Sequence, residues 1–138
     1  MTKALKSIVG FLTFALVVRG LDYVTGTADG HAESDLPPLV WGTTCIVVGI
    51  VVVVGLVSRQ TRIIIAGSLM ASAIYVMFAV YQVPLIFQSS PPPDDWRTCG
   101  DYVALAGMWA VVCVTLALRF HVAQVRRGGD SGDVAGVE

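Results

Sequence analysis

Residues 39–57 read LVWGTTCIVVGIVVVVGLV and contain no charged side chain. In water so many β-branched residues would suit a buried strand. A bilayer, however, offers the backbone no hydrogen-bond partners, so a helix is predicted. At ~1.5 Å per residue, a helix of this length crosses the ~30 Å of a hydrocarbon core. The stretch therefore predicts a membrane-spanning helix.

Three further apolar runs flank this one, at residues 6–24, 63–83 and 102–120. Only residues 58–62 separate the second run from the third, which forces those two helices into an antiparallel hairpin. We predict an all-α integral membrane protein, a four-helix antiparallel bundle that occupies residues 1–124. The Gly- and Asp-rich residues 125–138 are predicted to be a disordered cytoplasmic tail.

The composition agrees with a chain that lies almost wholly in a membrane. Of the 138 residues, 55% are hydrophobic and 14% are charged, whereas soluble domains carry about 25% charged residues. What lies outside the four runs is too short to form a separate soluble core. The net charge of −1 argues against nucleic-acid binding, which usually needs a basic surface.

Positive charge is concentrated at one end of the predicted bundle. The N-terminus, the 58–62 link and the segment after the fourth run carry Lys3, Lys6, Arg59, Arg62, Arg119, Arg126 and Arg127. The first and third links are acidic instead, with Asp22, Asp29, Glu33, Asp35, Asp94, Asp95 and Asp101. Short loops rich in Lys and Arg stay in the cytoplasm, so both termini are predicted to be cytoplasmic and the protein to lie in the cytoplasmic membrane.

The first run has an alternative interpretation as a cleaved signal peptide. Lys3 and Lys6 would form its basic region, and residues 26–28 (Gly-Thr-Ala) would be the small-residue cleavage site. The run is long, however, and Arg19 and Asp22 interrupt it before that site. We therefore favour a retained span.

Arg19 is the most informative single residue because it lies inside a predicted span. It is about six residues, or ~9 Å, outward from Thr13 near the midplane, and ionisable residues at such depth are usually paired or functional. Arg19 either pairs locally with Asp22, or forms a polar site for an anion, a lipid headgroup or a gate. Asp101 is either a helix cap, with Thr98 as N-cap, or a partner of Arg19 across the bundle.

Small residues predict the surfaces through which the helices pack, because they let helix backbones approach closely in lipid. Those on the third run are Gly67, Ser68, Ala71 and Ser72. Those on the fourth run are Ala106, Gly107 and Ala110. Gly49 and Gly55 of the second run are also predicted to admit a close neighbour.

Residues that usually carry chemistry are sparse. Cys45, Cys99 and Cys113 are single cysteines that we interpret as packed free thiols, with a Cys45–Cys99 disulfide as the alternative. His31, in the acidic first loop, is a weak metal ligand on its own. No carboxylate lies in the middle of a run, and no zinc-protease or phosphate-loop pattern occurs. We assign no catalytic residue, cofactor, metal or small-molecule substrate, and predict that the chain is not an enzyme.

Two short strings, VRGLDY at residues 18–23 and PLVWG at residues 38–42, combine with the four-run layout. Together they resemble small four-span membrane proteins of actinobacterial phages, often encoded near lysis genes. The resemblance implies a holin-like protein that oligomerises in the lipid bilayer and permeabilises the host cytoplasmic membrane, or regulates its permeability, during lysis. The alternatives are a non-enzymatic regulatory or interaction protein (an exclusion factor, an antiholin or a subunit of a membrane assembly) and a small channel.

Overall fold

The computed structural model describes residues 1–26, 38–88 and 96–130, and this part of the chain forms four α-helices and no strand. The helices are α1 (Lys3–Thr25), α2 (Pro38–Val57), α3 (Thr61–Gln88) and α4 (Trp96–Asp130). Each is long and apolar enough to cross a membrane. The predicted all-α fold with four membrane-spanning lengths is confirmed at this level.

Consecutive helices pack against each other in antiparallel order, α1 on α2, α2 on α3, and α3 on α4. The contacts between α3 and α4 show the antiparallel register directly. Cys113 in the middle of α4 donates to the carbonyl of Ile65 early in α3, whereas Cys99 early in α4 donates to the carbonyl of Ala79 late in α3. A hydrogen bond from α1 to α4, described below, connects the first helix to the last.

Apolar side chains fill the interior of the bundle and also cover its outside. Trp109, Tyr75, Leu16, Val9, Val48 and Val52 are among the largest side chains buried inside. Phe11, Phe14, Val53, Val80, Val111 and Leu118 are among the apolar side chains that point outward. Large contiguous apolar surfaces are rare on soluble monomers, so this exterior fits lipid as its surroundings.

The turn between α2 and α3 closes without glycine. Arg59 adopts a positive φ of 55°, and the Gln60 N–H donates to the Gly55 carbonyl at 3.1 Å. That bond, with a left-handed residue before its donor, is the Schellman arrangement that ends many helices. Glycine usually occupies the left-handed position, and this chain places a cation there instead.

Helices α1 and α2 approach each other closely where they cross at Gly20 and Gly42. A Cβ atom added at Gly20 would lie 2.8 Å from the Gly42 carbonyl oxygen, and one added at Gly42 would lie 2.7 Å from the Gly20 carbonyl oxygen. Farther along α2, Gly49 faces Val17, and Gly55 faces Ile64 across the turn. The prediction for Gly49 and Gly55 is confirmed, whereas the Gly20–Gly42 crossing was not predicted.

The predicted packing residues of α3 lie inside the bundle, but those of α4 do so only in part. Gly67, Ser68 and Ala71 are buried, Ser72 is half-buried, and on α4 Ala106 is buried and Ala110 half-buried. The Ser72 hydroxyl donates to the Ala106 carbonyl at 3.0 Å, which joins α3 to α4. Gly107 is exposed and a Cβ there would meet nothing within 4 Å, so it packs against no helix of the described bundle. It lies one residue, about 100° of helix rotation, past Ala106.

Helix α4 is longer at both ends than the sequence pattern suggested. It begins at Trp96, so Thr98 lies within the helix and the predicted capping box with Thr98 as N-cap is wrong. It continues to Asp130, so residues 125–130 are helical rather than part of a disordered tail. Residues 131–138 lie outside the described part of the chain.

Candidate functional site

Arg19 lies near the C-terminal end of α1, and the packing of its neighbours turns it toward the other helices. Gly20 sits against α2 at the close crossing, and Val17 rests over Gly49. Arg19 is about 100° of helix rotation from Gly20, so its side chain leaves α1 on the side next to the α2 contact, and it is 34% exposed. A guanidinium at this depth therefore lies partly inside the bundle.

Three side chains surround the Arg19 guanidinium. Its Nη2 donates a hydrogen bond to the Tyr102 hydroxyl of α4. The guanidinium carbon lies 5.1 Å from the centre of the Tyr102 ring and 5.6 Å from that of Tyr23. Aromatic faces within about 6 Å attract a cation, and more strongly when water is excluded. Asp22 contributes less, since its Oδ2 lies 4.0 Å from Arg19 Nη1 and the carboxylate side chain is 67% exposed.

The two tyrosines belong to an aromatic cluster built from all four helices. We use that name for Tyr23 of α1, Trp41 of α2, Tyr75, Phe78 and Tyr81 of α3, and Tyr102 of α4. Phe78 is its centre. Its ring stacks on Tyr23 at 5.4 Å with 4° between the planes, and lies 5.0 Å from Trp41 and 5.3 Å from Tyr102. Ring pairs at such distances contribute about 0.5–1.5 kcal/mol beyond area burial.

Arg19 and the aromatic cluster together can stabilise a cation in surroundings of low polarity. The ring faces and the Tyr102 hydroxyl replace part of the water that the guanidinium loses. Arg19 Nε is buried and has no hydrogen-bond partner among the described residues. The arrangement is therefore suited to holding and orienting a charge.

One side of Arg19 opens onto the outer surface of α1. A shallow groove there is lined by Phe11, Phe14, Ala15, Val18, Arg19 and Asp22. Phe11 and Phe14 are 72% and 66% exposed, so their rings face the space that lipid tails would occupy. In a bilayer, lipid would reach the guanidinium through this groove.

The residues predicted for this site fall into two groups. Arg19 and Asp22 lie together, but their ion pair is at the outer limit of distance and the main partner of Arg19 is Tyr102. Asp101 is exposed, and no ion pair between it and Arg19 occurs in residues 1–26, 38–88 and 96–130. The predicted alternative of an Arg19–Asp101 pair is wrong, because Tyr102, one position on, is the residue that faces inward.

Sequence reasoning placed Tyr23 next to Arg19 on α1 but missed Tyr102 and the rest of the aromatic cluster. The signal was a Tyr, Trp or Phe near the same end of the bundle in every span, which is usually interpreted as an interfacial belt. Here the rings of Tyr75, Phe78 and Tyr102 are buried and meet in the interior. An arginine at matching depth on α1 was the additional clue that the rings point inward.

Other predicted sites divide between the described and undescribed parts of the chain. Cys45, Cys99 and Cys113 are all free thiols, and the Cys45–Cys99 disulfide is not formed. Among the residues that the structure describes, no three His, Cys, Asp or Glu side chains are placed to hold a metal ion. His31 lies outside the described residues.

No known protein family matches this chain, and comparison with curated proteins and with solved structures gives no match either.

Proposed function

We propose that the chain is a holin-like, non-enzymatic protein of phage origin that self-associates in the cytoplasmic membrane of its host and increases, or regulates, its permeability. Both termini and the α2–α3 turn lie on the cytoplasmic side in this proposal. The distribution of charge supports that orientation, since short segments rich in Lys and Arg are retained in the cytoplasm. The start of α1, the α2–α3 turn and the end of α4 would leave the membrane on that side, and each of these segments carries Lys or Arg.

The observation that carries the proposal is the outward face of α4. Gly100, Val103, Gly107 and Val111 follow one another at helical spacing along this face, and the two valines are 57% and 66% exposed. A Cβ at Gly100 or Gly107 would meet nothing within 4 Å. Glycines that face lipid let a second helix approach closely, and such contacts drive helix association in membranes.

A second copy is the partner that suits this face best. Within one bundle Gly67 of α3 already lies against Val52 of α2, and Ser72 already bonds to Ala106 of α4. The exposed glycines of α4 have no such neighbour in the described bundle and are available for an outside contact. An interface between two α4 helices would be symmetric, because each copy offers the same face. A symmetric contact of this kind pairs two bundles, which is the first step toward the assemblies that a permeability change requires.

The proposal is tested by inducing the chain alone in an actinobacterial host and recording membrane potential with a voltage-sensitive dye. We expect abrupt depolarisation followed by growth arrest. Gly107→Leu fills the outward face of α4 and should delay depolarisation or abolish it. Gly10→Leu is the matched control, because a Cβ at Gly10 also meets nothing within 4 Å but lies on α1.

Two results would overturn the proposal. One is an unchanged potential in cells whose membranes contain the protein. The other is equal loss of activity in Gly107→Leu and Gly10→Leu, which would show that any bulk on the surface interferes and that the α4 face has no special role.

The enclosed position of Arg19 favours a second candidate, a regulatory or interaction protein of the same membrane. A lesion is lined by polar groups, and in this bundle the charge within the spans is held among aromatic rings instead of on an outer face. An antiholin-like protein would leave the potential unchanged when expressed alone. It would shift the time of depolarisation when it is expressed with a lesion-forming protein.

A further inference from the structure

A pocket lies at the basic end of the bundle, between the start of α1 and the α2–α3 turn. Its volume is about 350 Å³, within the usual range for small-ligand sites. The residues that line it are Met1, Lys6, Leu56, Arg59, Thr61 and Ile64. This pocket is at the opposite end of α1 from Arg19 and shares no residue with the candidate site.

The pocket has a cationic wall and an apolar floor. Lys6 and Arg59 contribute an ammonium and a guanidinium, and Thr61 contributes a hydroxyl. Ile64 is buried and Leu56 is half-buried beneath them. Such a combination fits a ligand that carries negative charge at one end and hydrocarbon at the other.

The segments that form the pocket supply no counter-charge. Residues 1–21 and 38–88 contain no Asp or Glu at all. Neither Lys6 nor Arg59 takes part in an ion pair within the described residues. Two cations that share a pocket without a carboxylate repel each other, and an anion between them would relieve that repulsion.

The backbone conformation of Arg59 is a second observation that favours a functional role for its guanidinium. Its φ of 55° is the left-handed conformation, which disfavours residues with a Cβ and is normally taken by Gly or Asn. An arginine at this position makes the turn less favourable than glycine would. It does, however, place a guanidinium at the mouth of the pocket.

We propose that this pocket binds the phosphate of an anionic phospholipid from the membrane leaflet at the basic end of the bundle. Lys6 and Arg59 contact the phosphate, Thr61 donates to one of its oxygens, and the glycerol lies over Leu56 and Ile64. Basic pockets between membrane-spanning helices are known to recognise lipid headgroups in this way. The site is independent of the proposed permeability function.

The test measures the thermal stability of the full chain in mixed micelles with increasing phosphatidylglycerol or, as the uncharged comparison, phosphatidylcholine. Phosphatidylglycerol should raise Tm saturably, and phosphatidylcholine should not. In the double variant Lys6→Gln/Arg59→Asn, the phosphatidylglycerol concentration at half-effect should increase roughly tenfold to thirtyfold, the combined contribution of two basic side chains. Asn tolerates the left-handed conformation, so this change removes the charge while leaving the turn intact.

Arg126→Gln is the matched control, because it removes an exposed cation of α4 outside the pocket and should leave the half-effect concentration unchanged. The proposal is overturned if the double variant responds like the unaltered chain, or if Arg126→Gln weakens the response equally, since either result means nonspecific attraction. Soluble glycerol phosphate is tested alone. If it raises Tm as phosphatidylglycerol does, the ligand is a free phosphate compound and the lipid assignment is wrong.

Discussion

Tyr102 carries the hydroxyl that accepts a hydrogen bond from Arg19, and the two residues are 83 positions apart in the chain. Removing this hydroxyl with Tyr102→Phe keeps the aromatic ring but leaves a guanidinium N–H without its acceptor. We expect the free energy of unfolding to fall by about 1–2 kcal/mol, the range for a hydrogen bond to a charged group within a membrane protein. Unfolding by SDS titration in mixed micelles measures this loss of stability.

Tyr81→Phe is the control for that change. Tyr81 belongs to the same aromatic cluster through its contact with Trp41, but it is 40% exposed and does not contact Arg19. The free energy of unfolding of Tyr81→Phe should lie within about 0.5 kcal/mol of that of the unaltered chain. A double-mutant cycle with Arg19→Met then isolates the coupling. Additive effects of Arg19→Met and Tyr102→Phe would contradict the described bond.

Local sequence shows that Arg19 lies too deep to be an ordinary surface charge, but it cannot identify the partner. Asp22 was an obvious choice because it is three residues away on the same helix. Choosing between Asp101 and Tyr102 required knowing which side of α4 faces inward. One residue changes that direction by about 100°, so the partner depends on the rotation of α4 in the bundle.

At the level of helices, the crossing of α1 and α2 depends on having no side chain at Gly20 or Gly42. Gly20→Ala would place a Cβ 2.8 Å from a backbone oxygen that cannot move without its helix. We expect a loss of about 1–3 kcal/mol in the free energy of unfolding, the usual result of overpacking. Unfolding in SDS mixed micelles provides the measurement.

Gly10→Ala is the matched control for the crossing, since Gly10 lies on the same helix and a Cβ there meets nothing within 4 Å. Its stability should be unchanged or slightly higher, because alanine is the better helix former. If Gly20→Ala were as harmless as Gly10→Ala, the two helices would not approach as closely as described.

At the α2–α3 turn, we predict that substitutions of two nearby arginines change the free energy of unfolding in opposite directions. Arg59→Gly should increase the free energy of unfolding by about 1 kcal/mol, because glycine adopts the left-handed conformation without strain. Arg62→Gly should decrease it by a similar amount. It lies within α3, where glycine is unfavourable, and its guanidinium lies 5.1 Å from the centre of the Phe120 ring. An increase for both or a decrease for both would contradict the described turn.

For the whole molecule, the sequence predicted the four helices well because lipid leaves the chain little choice. A long apolar segment must form its own hydrogen bonds, so even the β-branched residues of α2 are helical. Hydropathy could not place the ends of α3 and α4, because both helices continue through polar residues or proline at their ends. Hydropathy also could not predict the Gly20–Gly42 crossing, because a glycine permits a close approach only where the backbone of another helix lies opposite it.

The arrangement of the whole chain across the membrane is tested most directly by labelling single cysteines with a membrane-impermeant maleimide. The three native cysteines are changed to alanine, and a cysteine is introduced at Gln60 in the α2–α3 turn or at Thr25 at the far end of α1. In intact cells Thr25→Cys should react, and Gln60→Cys should react only after the membrane is opened. Equal reaction of both positions in intact cells, or reaction of Gln60→Cys alone, would contradict the proposed orientation, in which the basic end of the bundle faces the cytoplasm.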